Sequence, residues 1–344
     1  MNAAMKHQRG QGVKISAAIK PNASNEEISL LRQIGVSYCY TWIEPEQMNV
    51  DFLASLKERC ARYGITLFNV GIAHYGKSAA IQLGLPERDE HIEQFSELLR
   101  ILSRIGIHTT TITWEPSGYG ALCTTADGRA GSRLYSPVGR GGSMTRACDY
   151  AILKDMPFTH GREYVRDEIW ANFAYFLNKV MPVAEREEVR ISLHPNDPPV
   201  ETARGIASLI TCMDDYRRAF ELANSDFFGM ELCVGCWLEG GHASFGDIRK
   251  GIREFVKANK VFIVHFRNVS GVMPYFTETF VDDGYADMYE IMKFFVEAGY
   301  NGTLVLDHAP TIVGQGDSGE TLTTVYSLGY IKALLKAAEA EVDR

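Results

Sequence analysis

Short apolar segments alternate with longer amphipathic segments along most of the chain. The apolar segments are rich in β-branched and aromatic residues and predict strands, whereas the segments between them repeat apolar residues with the period of a helix. The eight predicted strands cover residues 14–19, 37–43, 66–72, 109–114, 189–194, 228–233, 261–269 and 303–307. The predicted helices cover residues 26–35, 50–64, 89–106, 167–186, 205–224, 246–259, 288–299 and 323–337.

The strict alternation of strands and helices predicts parallel strands that are joined by right-handed crossovers. Eight such units favour an α/β fold of the (β/α)₈ TIM-barrel type, with residues 1–344 in a single domain. An open, doubly wound sheet is the alternative. It is disfavoured because no Gly-x-Gly-x-x-Gly motif follows the first predicted strand.

Residues 115–163 form a long insertion after the fourth strand, rich in Gly, Ser, Arg and Thr and with little periodicity. Because a segment of that length inside a compact domain is usually functional or disordered, we expect it to pass over the mouth of the barrel or to reach a partner subunit of a homo-oligomer. Residues 1–12 are polar and are expected to form a loose tail, since they lack the apolar region of a secretory signal.

Composition and charge exclude several classes of protein. The 344 residues are 46% hydrophobic and 23% charged, with a net charge of −8, as is typical of a globular protein. The negative charge argues against nucleic acid or an anionic membrane as a partner. The seven cysteines are scattered and odd in number, which indicates a reducing cytoplasm rather than a disulfide framework.

The last four predicted strands carry, at or near their carboxyl ends, residues that can donate an electron pair to a metal: His194, Cys233, His265 and Asp307. Because the carboxyl ends of parallel barrel strands surround one mouth, these side chains are expected to converge. Imidazole, thiolate and carboxylate together suit a divalent transition metal. Cys236 completes a Cys-x-x-Cys motif with Cys233, but no second pair is present for a zinc knuckle, and we interpret Cys236 as incidental.

Polar residues beside these four are candidates for catalysis and substrate binding. His308 directly follows Asp307 and is the predicted acid or base. Arg267 lies two residues after His265, where a guanidinium suits a bidentate carboxylate; an ion pair with a neighbouring acid is the alternative interpretation. Further residues predicted to border the mouth are Asn196, Asp197, Asn268, His74, Trp114, Glu44 and Glu115.

The segment at residues 191–199, ISLHPNDPP, resembles the signature of bacterial mannonate dehydratases. The similarity covers nearly the whole chain and extends to LGLPERDEHIEQF (83–95), FGMELCVG (228–235), VHFRNV (264–269), DGYADMYEIM (283–292) and LDHAP (306–310). The resemblance implies a xylose-isomerase-like barrel that binds Mn²⁺ or a similar ion, with Fe²⁺, Co²⁺ and Zn²⁺ as alternatives. The resemblance also implies that the four strand-end residues are the metal ligands. The reaction that it implies is the removal of water from D-mannonate to give 2-keto-3-deoxy-D-gluconate.

Two departures from the family pattern concern proton transfer. The family usually carries Asp-His-Gly-Arg after the last strand, whereas this chain has Ala309 and Pro310 after His308. Thr321 stands where the family has a tyrosine that is implicated as an acid or base.

We therefore expect a metal-dependent hydro-lyase that acts on a sugar acid. His308 would transfer a proton, while Arg267 and Asn196 would orient the acid. Asn268, His74 and Trp114 would also bind the substrate. A metal-dependent sugar isomerase or epimerase on the same barrel is one alternative, and a relative that binds a sugar acid without turnover is another.

Overall fold

The structure is a computed structural model that describes residues 12–116, 134–136, 139–143, 145–312 and 321–342. Its strands, in chain order, are β1 (Lys14–Ala18), β2 (Tyr38–Ile43), β3 (Thr66–Ile72), β4 (Thr109–Thr113), β5 (Leu134–Ser136), β6 (Thr145–Asp149), β7 (Arg190–His194), β8 (Thr202–Ala203), β9 (Ile206–Ala207), β10 (Phe228–Cys233), β11 (Val261–His265), β12 (Asn268–Val269), β13 (Tyr275–Thr279) and β14 (Thr303–Val305). Its α-helices, in chain order, are α1 (Asn25–Gln33), α2 (Val50–Arg62), α3 (Ala73–Gly76), α4 (Ala79–Leu83), α5 (Arg88–Arg104), α6 (Tyr150–Leu153), α7 (Arg166–Arg186), α8 (Met213–Ala223), α9 (Val234–Phe245), α10 (Ile248–Lys257), α11 (Met288–Glu297) and α12 (Thr321–Val342).

Eight parallel strands form one sheet in the order β3–β2–β1–β14–β11–β10–β7–β4. Side chains bridge its two end strands. Asn69 Nδ2 donates to Thr111 Oγ1 at 2.9 Å, and Thr110 Oγ1 donates to the Val70 carbonyl at 2.8 Å. The sheet is therefore a nearly closed barrel, as the alternation predicted. The doubly wound alternative was wrong, because an open sheet keeps its two edge strands apart.

The helices bury their apolar faces against the outside of the barrel. In α5, Phe95, Leu98 and Leu102 repeat at helical spacing and are fully buried. Local signals set the ends: Ser24 caps α1 by accepting from the Glu27 amide at 3.1 Å, while the Glu27 carboxylate accepts from the Ser24 amide at 2.6 Å. Within the described residues, no helix is long and apolar enough to cross a membrane.

A second, antiparallel sheet in the order β12–β13–β6–β5 joins the insertion to the segment that follows β11. Phe276 of β13 pairs with Cys148 of β6, and Val269 of β12 pairs with Glu278 of β13. The predicted insertion thus contains β5, β6 and α6. Its residues 117–133, 137, 138 and 144 lie outside the described residues, as do residues 1–11 of the predicted tail.

Two predicted boundaries were wrong, and one helix was not predicted. The strand expected over residues 261–269 ends at His265, because Asn268 and Val269 leave the barrel to pair with β13. Residues 202–207, part of which was expected to be helical, form the hairpin β8–β9 before α8 begins at Met213. The helix expected at 246–259 is preceded by α9, which begins directly after Cys233.

Candidate metal centre and active site

The barrel brings together the four strand-end residues His194, Cys233, His265 and Asp307. One nitrogen, sulfur or oxygen atom from each lies within 4.8 Å of the others. The strand pairing explains the convergence, since Cys233 is the register partner of His265 across β10 and β11, and His265 that of Val305 in β14. We call these four residues the metal cluster.

Hydrogen bonds outside the metal cluster set the orientation of both histidines. His194 Nδ1 lies 2.7 Å from the Pro195 carbonyl, and His265 Nε2 lies 2.9 Å from Glu231 Oε1. If each of these nitrogens donates its proton, His194 Nε2 and His265 Nδ1 carry the lone pairs. Within the described part of the chain, the buried Nδ1 of His265 has no hydrogen-bond partner. A buried nitrogen that makes no hydrogen bond and lies 3.5 Å from the Asp307 carboxylate, beside a thiol, fits a bound divalent cation.

Cys233 lies where a strand passes directly into a helix. Its Sγ accepts from the Cys236 amide at 3.4 Å, at the amino end of α9. Burial opposes ionisation, but a hydrogen bond from the Cys236 side chain and the charge of Arg267 hold the pKa of the Cys233 thiol well below its usual range. A thiolate is the form of cysteine that binds metals.

Asp307 is the acidic member of the metal cluster. Its Oδ2 lies 3.6 Å from Cys233 Sγ and 2.8 Å from Arg267 Nε. Burial raises its pKa, but the neighbouring His308 and His265 side chains and the charge of Arg267 outweigh burial and hold the pKa well below the usual range. The carboxylate is thus ready to bind a cation without first losing a proton.

Arg267 binds carboxylates of the protein itself. The side chain is 0% exposed and donates through Nη2 to Asp197 at 2.9 Å, through Nη1 to Glu239 at 2.6 Å and through Nε to Asp307 at 2.8 Å. The alternative interpretation of an ion pair therefore describes its contacts, and Arg267 reaches the metal cluster through Asp307. A contact between Arg267 and a substrate carboxylate stays a prediction.

Asp197, Cys236 and Glu239 also place possible metal-binding atoms within 4.8 Å of one another. The guanidinium of Arg267 lies among them, with Nη2 3.6 Å from Cys236 Sγ. Because a cation of the protein already occupies this position, we assign no metal there. Cys236, interpreted from sequence as incidental, contacts both Arg267 and Cys233.

His308 stands at the rim of the metal cluster. Its side chain is 32% exposed, its Nε2 lies 3.4 Å from Asp307 Oδ1, and its Nδ1 lies 3.1 Å from Glu278 Oε1. The residue is therefore both close to the metal cluster and open to a small molecule, as a proton-transfer group must be.

Asn196 and Asn268, both predicted to bind the substrate, form hydrogen bonds with the main chain. Asn196 is buried, accepts from the amides of Leu209 and Ile210 at 3.0 and 2.9 Å, and donates to the Trp114 carbonyl at 3.1 Å. Asn268 is buried and donates to the Ala286 carbonyl at 2.9 Å. Both amides thus hold the main chain around the mouth.

The surroundings of Trp114 and His74 were not predicted from the sequence. Trp114 is buried against Phe173, with ring centres 4.9 Å apart. His74 is exposed and belongs to α3 rather than to a strand end, where its ring lies 5.3 Å from that of His91.

The predicted mouth acids Glu115 and Glu44 and the segment that departs from the family pattern lie in different surroundings. Glu115 accepts from the Asp197 amide at 2.6 Å, and burial raises its pKa. Glu44 is exposed and caps a short helical turn. The carbonyl of Pro310 accepts from Thr323 Oγ1 at 2.9 Å, and Thr321 opens α12. Residues 313–320, which precede Thr321, lie outside the described residues.

Sequence reasoning missed three acids beside the predicted residues: Glu231, Glu239 and Glu278. Glu231 had a signal, because it interrupts an apolar strand and lies two residues before Cys233, on the same face. Glu239 lies on α9 and Glu278 on β13, two elements that the sequence did not predict.

Sequence comparison relates this chain to mannonate dehydratases. The family model "D-mannonate dehydratase (UxuA)" matches residues 153–344. The mannonate dehydratase of Thermotoga neapolitana is 26% identical over 317 residues, which cover 83% of this chain and 86% of that protein. That of Endomicrobium trichonymphae is 25% identical over 346 residues, with 90% and 89% covered.

Solved structures show the same fold. Mannonate dehydratase from Streptococcus suis serotype 2 superposes with a TM-score of 0.81 at 21% identity, covering 96% of each chain. An L-ribulose 3-epimerase superposes with a TM-score of 0.60 at 15% identity, covering 96% of this chain and 97% of that one. Together with the family model, which matches more than half of the chain, these likenesses identify a xylose-isomerase-like TIM barrel that belongs to the D-mannonate dehydratase family of hydro-lyases.

Proposed function

We propose that this protein removes water from a sugar acid, with a divalent metal ion bound by His194, Cys233, His265 and Asp307. The convergence of these four donors beside His308 is the observation that carries the proposal. By likeness to the family, the substrate is D-mannonate, the product is 2-keto-3-deoxy-D-gluconate and the preferred metal is Mn²⁺. The mixed donor set is also compatible with Fe²⁺, Co²⁺ or Zn²⁺.

In the proposed reaction the carbon beside the carboxylate loses a proton, and the next carbon loses its hydroxyl group, which leaves as water. The enol that remains rearranges to the 2-keto acid. A divalent ion in the metal cluster would stabilise the negative charge that develops at the carboxylate end of the substrate.

The protein's own residues have three roles in this proposal. His308 exchanges a proton with the substrate through Nε2, the ring nitrogen that lies nearest the metal cluster. Pro195 and Glu231 hold the two ligand histidines in the orientation that binds metal. Arg267 acts through Asp307, and it keeps the carboxylates of Asp197 and Glu239 neutralised in the protein interior.

The test uses metal-free protein that is reloaded with Mn²⁺ under anaerobic conditions and offered a panel of six-carbon aldonic acids in D₂O. Proton NMR should show loss of the C2 proton together with a 2-keto-3-deoxy product from one acid of the panel. The Cys233→Ser variant, which alters one metal ligand, is the matched control and should form little product.

Other outcomes of this experiment would contradict the proposal. Exchange of the C2 proton with solvent and no loss of water would indicate an isomerase or epimerase. Binding of an acid with neither exchange nor product would indicate a sugar-acid-binding protein without turnover. An unchanged panel would exclude six-carbon aldonic acids as substrates.

A further inference from the structure

Glu278 and His308 form a contact between the second sheet and the rim of the metal cluster. His308 Nδ1 lies 3.1 Å from Glu278 Oε1, and the Glu278 side chain is only 2% exposed. The other ring nitrogen of His308, Nε2, lies 3.4 Å from Asp307 Oδ1. One edge of the imidazole is thus against Glu278, and the opposite edge faces the metal cluster.

The insertion holds Glu278 in place. The main-chain carbonyl of Glu278 accepts a hydrogen bond from Thr145 Oγ1, and its Oε2 lies 4.0 Å from Arg146 Nε. Thr145 and Arg146 belong to β6, the strand that the insertion adds beside β13. The insertion therefore supplies a main-chain anchor and a nearby positive charge for this carboxylate.

A carboxylate is costly to bury unless it is paired and hydrogen-bonded, so a buried glutamate in a short strand indicates a specific role. Glu278 is not a member of the metal cluster. Its carboxylate instead contacts the His308 ring, which is both near the metal cluster and open to solvent. A carboxylate on one imidazole nitrogen determines which nitrogen carries the proton and prevents the ring from turning over.

We propose that Glu278 is a positioning residue that accepts the Nδ1 proton of His308 and thereby keeps Nε2 directed at the metal cluster and the substrate. Arg146 balances the charge of Glu278, so the insertion forms part of the active site. The catalytic consequence rests on the proposed function, because it requires that His308 transfer a proton. The orientation of the ring itself does not depend on turnover.

The kinetic test compares Glu278→Gln with Asp282→Asn. Asp282 is a matched control, because it lies three residues beyond β13 and binds Arg140 of the insertion at 2.7 Å instead of His308. Glu278→Gln should lower kcat about 10–100-fold, the range found when a carboxylate that orients a functional histidine is removed. It should change KM little, because the Glu278 side chain is buried against His308. Asp282→Asn should keep the kcat of the wild type.

A double variant tests whether Glu278 acts through His308. In a His308→Gln background, Glu278→Gln should cause no further loss of kcat, because the two residues act as one unit. A wild-type kcat in the single Glu278→Gln variant would overturn the proposal. So would an independent loss of the full size in the His308→Gln background.

A spectroscopic test needs no activity. In protein with ¹⁵N-labelled histidine, long-range ¹H–¹⁵N NMR reports which ring nitrogen is protonated, and His308→Gln identifies the His308 signals by their absence. We expect a proton on Nδ1 in the wild type, and a shift towards the Nε2–H form in Glu278→Ala. Absence of a proton on Nδ1 in the wild type would overturn the proposal. If no sugar acid were dehydrated, this spectrum would still decide whether Glu278 orients His308.

Discussion

His265 and Glu231 form a carboxylate–imidazole pair inside the barrel, with His265 Nε2 2.9 Å from Glu231 Oε1. Glu231 lies two residues before Cys233 on β10, so strand alternation directs both side chains to the same face. Glu231 thus contacts Nε2 of His265, while Nδ1 of the same ring faces the metal cluster.

Because of this pair, we expect Glu231→Gln to weaken metal binding, although Glu231 is not a member of the metal cluster. The amide no longer fixes which nitrogen of His265 carries the proton, so the affinity for Mn²⁺ should fall about 10–100-fold. Isothermal titration calorimetry of the metal-free protein measures this change. Glu254→Gln, which alters an exposed acid bound to Arg217, is the control and should bind Mn²⁺ as the wild type does. An unchanged dissociation constant in Glu231→Gln would refute the role given to this pair.

Metal should stabilise the fold through the metal cluster. A ligand that binds only the native state raises the free energy of unfolding by about 2.7 kcal/mol at one hundred times its dissociation constant. Chelation should therefore lower the Tm of the wild type, and Mn²⁺ should restore it. Cys233→Ser should lose most of this response, whereas Cys148→Ser, which alters a buried thiol of the second sheet, should keep it. Equal responses in the two variants would argue against Cys233 as a ligand.

Arg267→Met should destabilise the protein strongly. The variant leaves Asp197 and Glu239 buried without their shared cation, and breaking a buried ion pair in this way costs about 3–5 kcal/mol. Urea unfolding measures the loss. The double variant Arg267→Met with Glu239→Gln should recover part of it, because one of the two buried acids is replaced by an amide. No recovery would mean that the loss comes from packing rather than from charge.

The contact between Asp282 and Arg140 should depend on pH. Burial opposes ionisation of Asp282, but hydrogen bonds from Arg140 and Tyr326 hold its pKa below the ordinary value of 3.8. Because the folded-state pKa is the lower one, the stabilisation is complete above the unfolded pKa and is lost as the pH falls through the folded pKa.

Urea midpoints of the wild type and of Asp282→Asn measure this contribution. Their difference should be constant above about pH 5 and should shrink below about pH 4, since the unfolded carboxyl titrates near 3.9. A difference that stayed the same down to pH 3 would show that the carboxylate charge of Asp282 does not stabilise the fold.

The sequence alone determined the barrel and the four residues of the metal cluster. Strands and helices differ in their hydrophobic period, and each period is visible without knowledge of the partners. His194, Cys233 and His265 end strands β7, β10 and β11, and Asp307 follows β14 by two residues, so the alternation alone placed all four at one end of the barrel.

Only the tertiary structure decided what each polar group touches. Arg267 has the position expected for a substrate-binding residue, yet its contacts are three acids from distant parts of the chain. Glu278 reaches His308 because β6 of the insertion pairs with β13, and neither strand has a strong enough period to be recognised. Contacts between residues far apart in sequence depend on register and strand order, and local periodicity carries no information about either. The ligands of the predicted metal site could therefore be listed from the sequence, whereas the residues that orient them required the fold.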